Sequence, residues 1–122
     1  MTRTPRSRRS CLAVPGSNPK MLGKAQGLPA DQVFLDLEDS VSPLAKVDAR
    51  ANIVAALREG DWAGKTRVVR VNDWTTQWTY GDVIAVVEGA GAALDAVMLP
   101  KVQSAVYDVV LTVRRTSAPA TV

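Results

Sequence analysis

Four short apolar runs, starting near residues 11, 33, 67 and 96, alternate along this chain with stretches of helical pattern. Val33-Phe34-Leu35-Asp36-Leu37 is the clearest of them, and it reads as a strand buried on both faces of a parallel sheet. The others are Cys11 to Val14, Thr66 to Asn72 and Ala96 to Leu99. A helix is expected from about Pro19 to Gln26, with Gly27 as its stop. A second opens at Ser42-Pro43, carries Leu44, Val47, Ala51, Val54 and Leu57 at steps of three and four, and ends at Gly60. That spacing predicts one apolar stripe. A third helix is expected over about Tyr80 to Glu88, and a weaker helical stretch from about Gln103. The strand starts lie 22, 34 and 29 residues apart, near the ~30-residue unit of a (β/α)8 barrel. The expected fold is therefore α/β, a partial (β/α)8 TIM barrel of about four βα units over residues 9–115. A basic disordered arm over 1–8 and a disordered tail over 116–122 are expected to flank it. A doubly wound sheet is the competing architecture, but the glycine fingerprint G-x-G-x-x-G does not follow the first strand.

Charge is unevenly spread. The first thirty residues hold Arg3, Arg6, Arg8, Arg9, Lys20 and Lys24 and no acid, while the net charge of the whole chain is only +3. A cationic end suits a phosphate-bearing ligand or nucleic acid, and a solvated arm is the plain alternative for Arg3 to Arg8. No aromatic residue lies among those thirty, so a base-stacking platform has no support there. No apolar run approaches the ~18 residues of a membrane span, and Cys11 to Val14 is too short for a signal-peptide core. A cytoplasmic location is expected. With no histidine and one cysteine, Ser-His-Asp or Cys-His catalysis, histidine-ligated metals and cysteine zinc sites are excluded within this chain. Chemistry here must use carboxylates, lysine, arginine or an oxygen-ligated metal.

The acids that end the second strand are the candidate site. Side chains alternate along a strand, so Asp36 and Glu38 share the face of Phe34, and Arg70 shares the face of Val68 and Asn72. If the two strands are neighbours, Arg70 sits beside Asp36 and Glu38. Such a guanidinium either clamps a substrate carboxylate bidentately or closes a structural ion pair. Glu38 and Asp39 could serve Mg²⁺ directly or through bound water, with Asp36 a further second-shell candidate, although Asp39-Ser40 could also simply cap the loop before Pro43. Pro15-Gly16-Ser17 leads into a helix start whose amides could hold an anion, and Lys24 could reach a phosphate from that helix. Lys101, at the fourth strand's end, raises a Schiff-base aldolase as an alternative. Trp62, Trp74 and Trp78 read as packing residues, with the last two placed to wall a pocket.

These motifs occur in an order that resembles a known family. The series runs Arg9-Ser10-Cys11-Leu12-Ala13-Val14-Pro15-Gly16-Ser17, then Phe34 to Pro43, then Lys46 with Ala49-Arg50, then Val69-Arg70-Val71-Asn72, then Met98-Leu99-Pro100-Lys101-Val102. Over about residues 8 to 105 it is similar to the amino-terminal part of the citrate lyase beta subunit and malyl-CoA lyase family, CoA ester lyases of the HpcH/HpaI aldolase superfamily. The resemblance implies a Mg²⁺-dependent barrel, usually homo-oligomeric, that makes or breaks a C–C bond beside a CoA thioester. It implies that Arg70 holds the substrate's carboxylate or carbonyl end. It further implies that Lys24, Ala13, Val14, Pro15 and Gly16 contact the CoA ester. Asn18 stands where malyl-CoA lyases commonly carry a ligand-binding arginine. The family's metal-binding glutamate and aspartate belong to later strands, so the metal ligands within this chain are expected to be none. Expected partners are an acyl-CoA and a small keto or hydroxy acid. The chain accordingly reads as an amino-terminal fragment or truncated product with little lyase activity alone. A non-catalytic CoA- or nucleic-acid-binding module is the alternative from another class.

Overall fold

A computed structural model describes residues 6–103 of the chain. Its strands are β1 (Cys11–Pro15), β2 (Gln32–Asp36), β3 (Thr66–Arg70) and β4 (Ala96–Met98), all parallel and ordered β1-β2-β3-β4. The helices α1 (Pro19–Ala25), α2 (Lys46–Glu59) and α3 (Thr79–Ala90) fill the connections, with single 3₁₀ turns at Pro43–Ala45 and Gly91–Ala93. When parallel strands follow one another in order, right-handed crossovers place every connecting helix on one face. Here α2 packs against both α1 and α3, so the helices form one layer. This is the singly wound, barrel-type α/β arrangement, and a doubly wound sheet is ruled out for the described residues. The expected arm before Arg6, the stretch beyond Gln103 and the tail over 116–122 lie outside the described residues.

Strand alternation sorts the sheet cleanly. Val14, Val33, Leu35, Leu37, Val69 and Val71 face the helices and join Leu22, Ile53, Leu57 and Val86 in one core. The opposite face carries three rows set by the register. Cys11, Gln32 and Thr66 form the row at the strands' amino ends, Ala13, Phe34, Val68 and Ala96 the middle row, and Pro15, Asp36, Arg70 and Met98 the row at the carboxyl ends. Rows of inward side chains are how a barrel interior is filled. The top row holds the candidate site.

The apolar stripe expected along α2 is corrected. Leu44 is 98% exposed, Val47 is 61% exposed and Ala51 is also exposed. The buried face runs through Lys46, Ala49, Ile53 and Leu57, so of the expected stripe Leu57 is buried and Val54 packs partly against the core. There are two physical reasons. Pro43–Ala45 forms a 3₁₀ turn, so the α-helix and its phase begin only at Lys46, and Ser42 makes no side-chain cap. The inward face also opens with a lysine, which a count of apolar residues cannot register.

Other local features follow from single residues. Asn18 caps α1, its side-chain oxygen accepting from Met21 N at 3.1 Å. Trp62 is buried and donates its indole N–H to Ala56 O at 2.8 Å, tying off the end of α2. At the amino ends of the strands, Arg6 donates to Lys65 O at 3.2 Å and pairs with Asp95 at 3.4 Å. Asp31 there accepts the amides of Arg9 and Ser10, so the chain entering β1 is fastened to the loop entering β2. No helix among the described residues is long and apolar enough to cross a membrane.

Gly16 marks the tightest approach beneath the site. A β-carbon there would lie 2.6 Å from Ile53 Cδ1 and 2.7 Å from Asp36 O, whereas one on Gly23 in α1 would meet nothing. Gly16→Ala is therefore expected to destabilise the fold by about 1–3 kcal/mol through overpacking. Gly23→Ala is expected to stabilise it by up to about 1 kcal/mol through helix propensity. Urea unfolding of the two variants beside the parent checks both signs.

Candidate functional site

The register places Asp36 directly opposite Arg70 on neighbouring strands. Asp36 is only 1% exposed, and both its oxygens are saturated. Arg70 Nε donates to Oδ1 at 2.8 Å and Nη2 to Oδ2 at 2.9 Å, a two-point grip on the carboxylate. The amide of Glu38 donates to Oδ1 at 2.9 Å, while Ser40 donates to Oδ2 from its amide at 3.1 Å and from its hydroxyl at 2.6 Å. Burial by itself would raise this carboxyl's pKa; the Arg70 guanidinium, the Ser40 hydroxyl and the two amides overcome that and hold it well below the usual carboxylate range. The same bond to Asp36 raises the pKa of Arg70, aided by the charges of Asp36, Glu38 and Asp39 against some desolvation. Phe34, one row down, lies under the guanidinium, its ring centroid 5.1 Å from Arg70 Cζ.

Glu38 continues the strand end and is 5% exposed. One of its oxygens lies 3.6 Å from Arg70 Nε and the other accepts from Lys101 Nζ. Lys101 also reaches Asp39 at 3.2 Å, and its backbone sits at φ +52, in the left-handed region that side chains with a β-carbon disfavour. The ends of β2, β3 and β4 thus converge. Asp36, Glu38, Asp39, Arg70 and Lys101 form one connected mouth.

Behind the mouth lies a buried polar chain that the sequence reading gave no role. Lys46 Nζ donates to Leu37 O at 2.9 Å, Glu38 O at 2.8 Å and Asn72 Oδ1 at 2.6 Å, with the Trp78 ring 5.2 Å away. All three ammonium donors are used. Burial lowers the pKa of this lysine, countered by the charges of Asp82, Asp36, Glu38 and Asp39. Asn72 in turn donates its side-chain amide to Asp82 at 2.7 Å and its backbone amide at 2.9 Å. The fully buried Asp82 is paired with Arg50 Nε at 2.8 Å. Lys46 and Arg50 stand one helical turn apart on α2, and Asn72 lies two residues past Arg70. That spacing was the available signal.

The remaining candidates fall in different places. Ala13 is on the open face, but Val14 points into the helix-side core. Gly16 spends its N–H on Asp36 O at 2.8 Å and its carbonyl on the Asn52 amide at 3.1 Å, so the Pro15-Gly16 turn braces β2. Lys24 is exposed on α1, and its side chain makes no hydrogen bond or ion pair among the described residues. Trp62 packs as expected, Trp78 lies against Lys46, and Trp74 is part-exposed. No group of three carboxylates among the described residues is arranged to hold a metal ion. The reason is chemical: Asp36 is filled by Arg70 and Ser40, and Glu38 and Asp39 share Lys101. The described residues alone do not fit a magnesium cage.

Asp36 has a lower pKa folded than unfolded, so the unfolded chain takes up its proton first as pH falls. Its contribution to stability is fully present above the ordinary carboxylate value of ~4 and is lost progressively below it. Asp36→Asn is therefore expected to lower the urea midpoint at pH 7 and to flatten its decline between pH 5 and pH 3. Lys46→Met strands three buried acceptors and is expected to destabilise by about 1–3 kcal/mol or more, read in the same unfolding series.

Residues 9–119 match the family model described as HpcH/HpaI aldolase/citrate lyase. Over 97 residues the chain is 45% identical to an L-malyl-CoA/beta-methylmalyl-CoA lyase of Cereibacter sphaeroides, covering 80% of this chain and 30% of that protein. It is 43% identical over 97 residues to a (3S)-malyl-CoA thioesterase of the same species, covering 80% of this chain and 33% of the relative. The chain thus spans about a third of the length of these relatives. Among solved structures it resembles a citrate lyase beta subunit from M. tuberculosis complexed with oxaloacetate and magnesium, with TM-score 0.62 and 33% identity, covering 85% of this chain and 44% of that one. A barrel-type parallel sheet, an arginine gripped by a carboxylate at its mouth and a family match over most of the sequence agree: the chain belongs to the HpcH/HpaI aldolase/citrate lyase family.

Proposed function

We propose that this chain is the amino-terminal portion of a CoA ester lyase barrel of the malyl-CoA or citryl-CoA type, and that Arg70 docks the acid end of the substrate. The state of the Arg70 guanidinium carries the reading. Its Nε–Nη2 edge is spent on Asp36, while no hydrogen bond among the described residues uses Nη1. An end-on pair of N–H groups therefore faces the mouth, fixed in direction by a buried anion and by Phe34 beneath it. A planar carboxylate or an α-keto acid accepts from such a fork. The same cation lies where negative charge develops on a thioester enolate, and a preorganised cation there lowers the barrier.

Magnesium, when bound in this family's barrel, would polarise the oxygens of the acid. The described residues do not hold it, since Asp36 is taken by Arg70 and Ser40, and Glu38 and Asp39 by Lys101. Ala13 and Pro15 lie on the same side of the sheet as the mouth, Gly16 packs toward α2 beside them, and the Lys24 side chain is free to meet a phosphate of the CoA. The chain by itself is expected to have little or no lyase activity, because the described residues supply no complete metal site. A Schiff-base role for Lys101 has less support. Its bonds to Glu38 and Asp39 raise its pKa and keep the ammonium protonated, the opposite of what an amine nucleophile needs. The lyase and the thioesterase relatives match this stretch almost equally, at 45% and 43%. The choice between C–C cleavage and thioester hydrolysis is then made outside it.

The test is a graft. Residues 9–103 replacing the matching stretch of the Cereibacter lyase should give a folded, Mg²⁺-dependent enzyme that cleaves malyl-CoA, and Arg70→Lys in that graft should lower kcat/KM by about 100-fold or more. The 122-residue chain alone should show no turnover. A folded graft without activity, or full activity in Arg70→Lys, would sink the proposal.

A further inference from the structure

Lys46 sits where local energetics disfavour it. It is 6% exposed and opens α2, the end of a helix at which the backbone dipole repels a cation. No side chain caps that end. A residue kept against burial, dipole and capping preference is the kind of local violation that marks a functional position. Its partners show the return. Leu37 and Glu38 are consecutive, and in an extended strand neighbouring carbonyls point to opposite edges. Both nevertheless accept from the one ammonium, so the chain leaves the strand between them, and β2 does end at Asp36. The turn fixed in this way brings the Glu38 carboxylate to Lys101 and to within 3.6 Å of Arg70 Nε. It also delivers the amides of Glu38 and Ser40 to Asp36. Asn72, the third acceptor, lies where the chain leaves β3 for α3. Trp78, at the far end of that connection, sets its ring 5.2 Å from the ammonium, and its carbonyl accepts from Arg50 Nη2 at 3.1 Å. Lys46 therefore touches both loops that rise beside the acids. All of its partners belong to β2, β3, α2, α3 and the loops between them, so the arrangement is complete within the described residues.

We infer that Lys46 is a positioning residue of the mouth. By drawing two successive carbonyls and the Asn72 side chain to one point, it aims Glu38 at the Arg70 and Lys101 cations and fastens the two rim loops to each other. The shape of the ammonium explains why a lysine stands here. Its three donors diverge as a tripod, whereas those of a guanidinium lie in one plane. Arg70 keeps its two-point grip on Asp36 without passing through Lys46. Loss of Lys46 therefore disturbs how a docked acid is held against Glu38 and Lys101 more than whether it docks. That consequence for turnover rests on the lyase reading above, while the positioning itself does not.

The test has two arms. In the 122-residue chain at pH 7, NMR should show a slowly exchanging Lys46 ammonium, assigned through the side chain's own carbons and so needing no variant. Lys46→Arg keeps the charge and the packed stem but not the tripod. In it, deuterium exchange at the Glu38 and Ser40 amides should rise about 10-fold relative to the Leu35 and Ile53 amides. Lys46→Gln, with two donors for three acceptors, should follow the same pattern. A lysine that only stabilises the fold would speed all four amides together. Equal acceleration, or a parent ammonium that exchanges freely, would overturn the inference. In the graft, Lys46→Arg should lower kcat by about 10–100-fold with KM within about 3-fold of the parent graft. On a Glu38→Gln background the same change should cost less than about 3-fold, because residues acting through one another do not add. Unchanged kcat in Lys46→Arg, or a fully additive loss with Glu38→Gln, would also overturn it. An inactive parent graft tells against the lyase reading alone, and the exchange arm then decides the inference.

Discussion

Burying the Asp36 carboxylate obliges the structure to surround it with donors. An ionised group at 1% exposure would otherwise take up a proton or unfold its surroundings, since desolvation disfavours the charged form. Five hydrogen bonds meet that demand, and each fixes a different piece of chain. The Glu38 amide and the two Ser40 donors fold the residues after β2 back over the strand end. The Arg70 fork locks β3 in register and presents the other edge of the guanidinium outward. One buried anion thereby shapes a loop, a register and the direction of a cation.

A second layer of polar contacts keeps that arrangement from relaxing. Lys46 ties the carbonyls of Leu37 and Glu38 to Asn72, so the ends of β2 and β3 are joined beneath the mouth as well as across it. Asp82 and Arg50 anchor the far end of this chain between α2 and α3. The helices therefore do more than cover the sheet, because their inward polar residues help hold the acids at the mouth in place. On the opposite rim, the fastening of Arg6, Arg9 and Ser10 to Asp31, Asp95 and Lys65 closes the amino ends of the strands. The two ends of the sheet are thus built differently. One is a brace, and the other keeps donors in reserve.

That asymmetry matches where barrels place chemistry, at the carboxyl ends of the strands. The mouth is strong in cations and in carboxylates already engaged, and weak in carboxylates free for a metal. Under the proposed reading, such a site would dock an acid and would take its metal ligands from elsewhere around the rim.

Much of this was written in the sequence. The four strands and the faces that Asp36, Glu38 and Arg70 occupy followed from apolar runs, from period-two alternation and from the unit spacing, because those signals are local and each strand reports its own faces; that Arg70 meets Asp36 waited on β2 and β3 proving to be neighbours. The chain alone also fixed the chemistry available, since it has no histidine and a single cysteine. What it could not fix was any fact that depends on two distant segments meeting. Leu44 and Val47 match a helical stripe perfectly well, yet the 3₁₀ turn at Pro43–Ala45 sets the phase of α2 from Lys46 and turns them to solvent. Lys46 looks like a surface residue until three acceptors from β2 and β3 close around its ammonium. Period and composition describe one segment at a time, whereas burial of a charge is decided by partners far away in sequence, and only the folded chain brings those together.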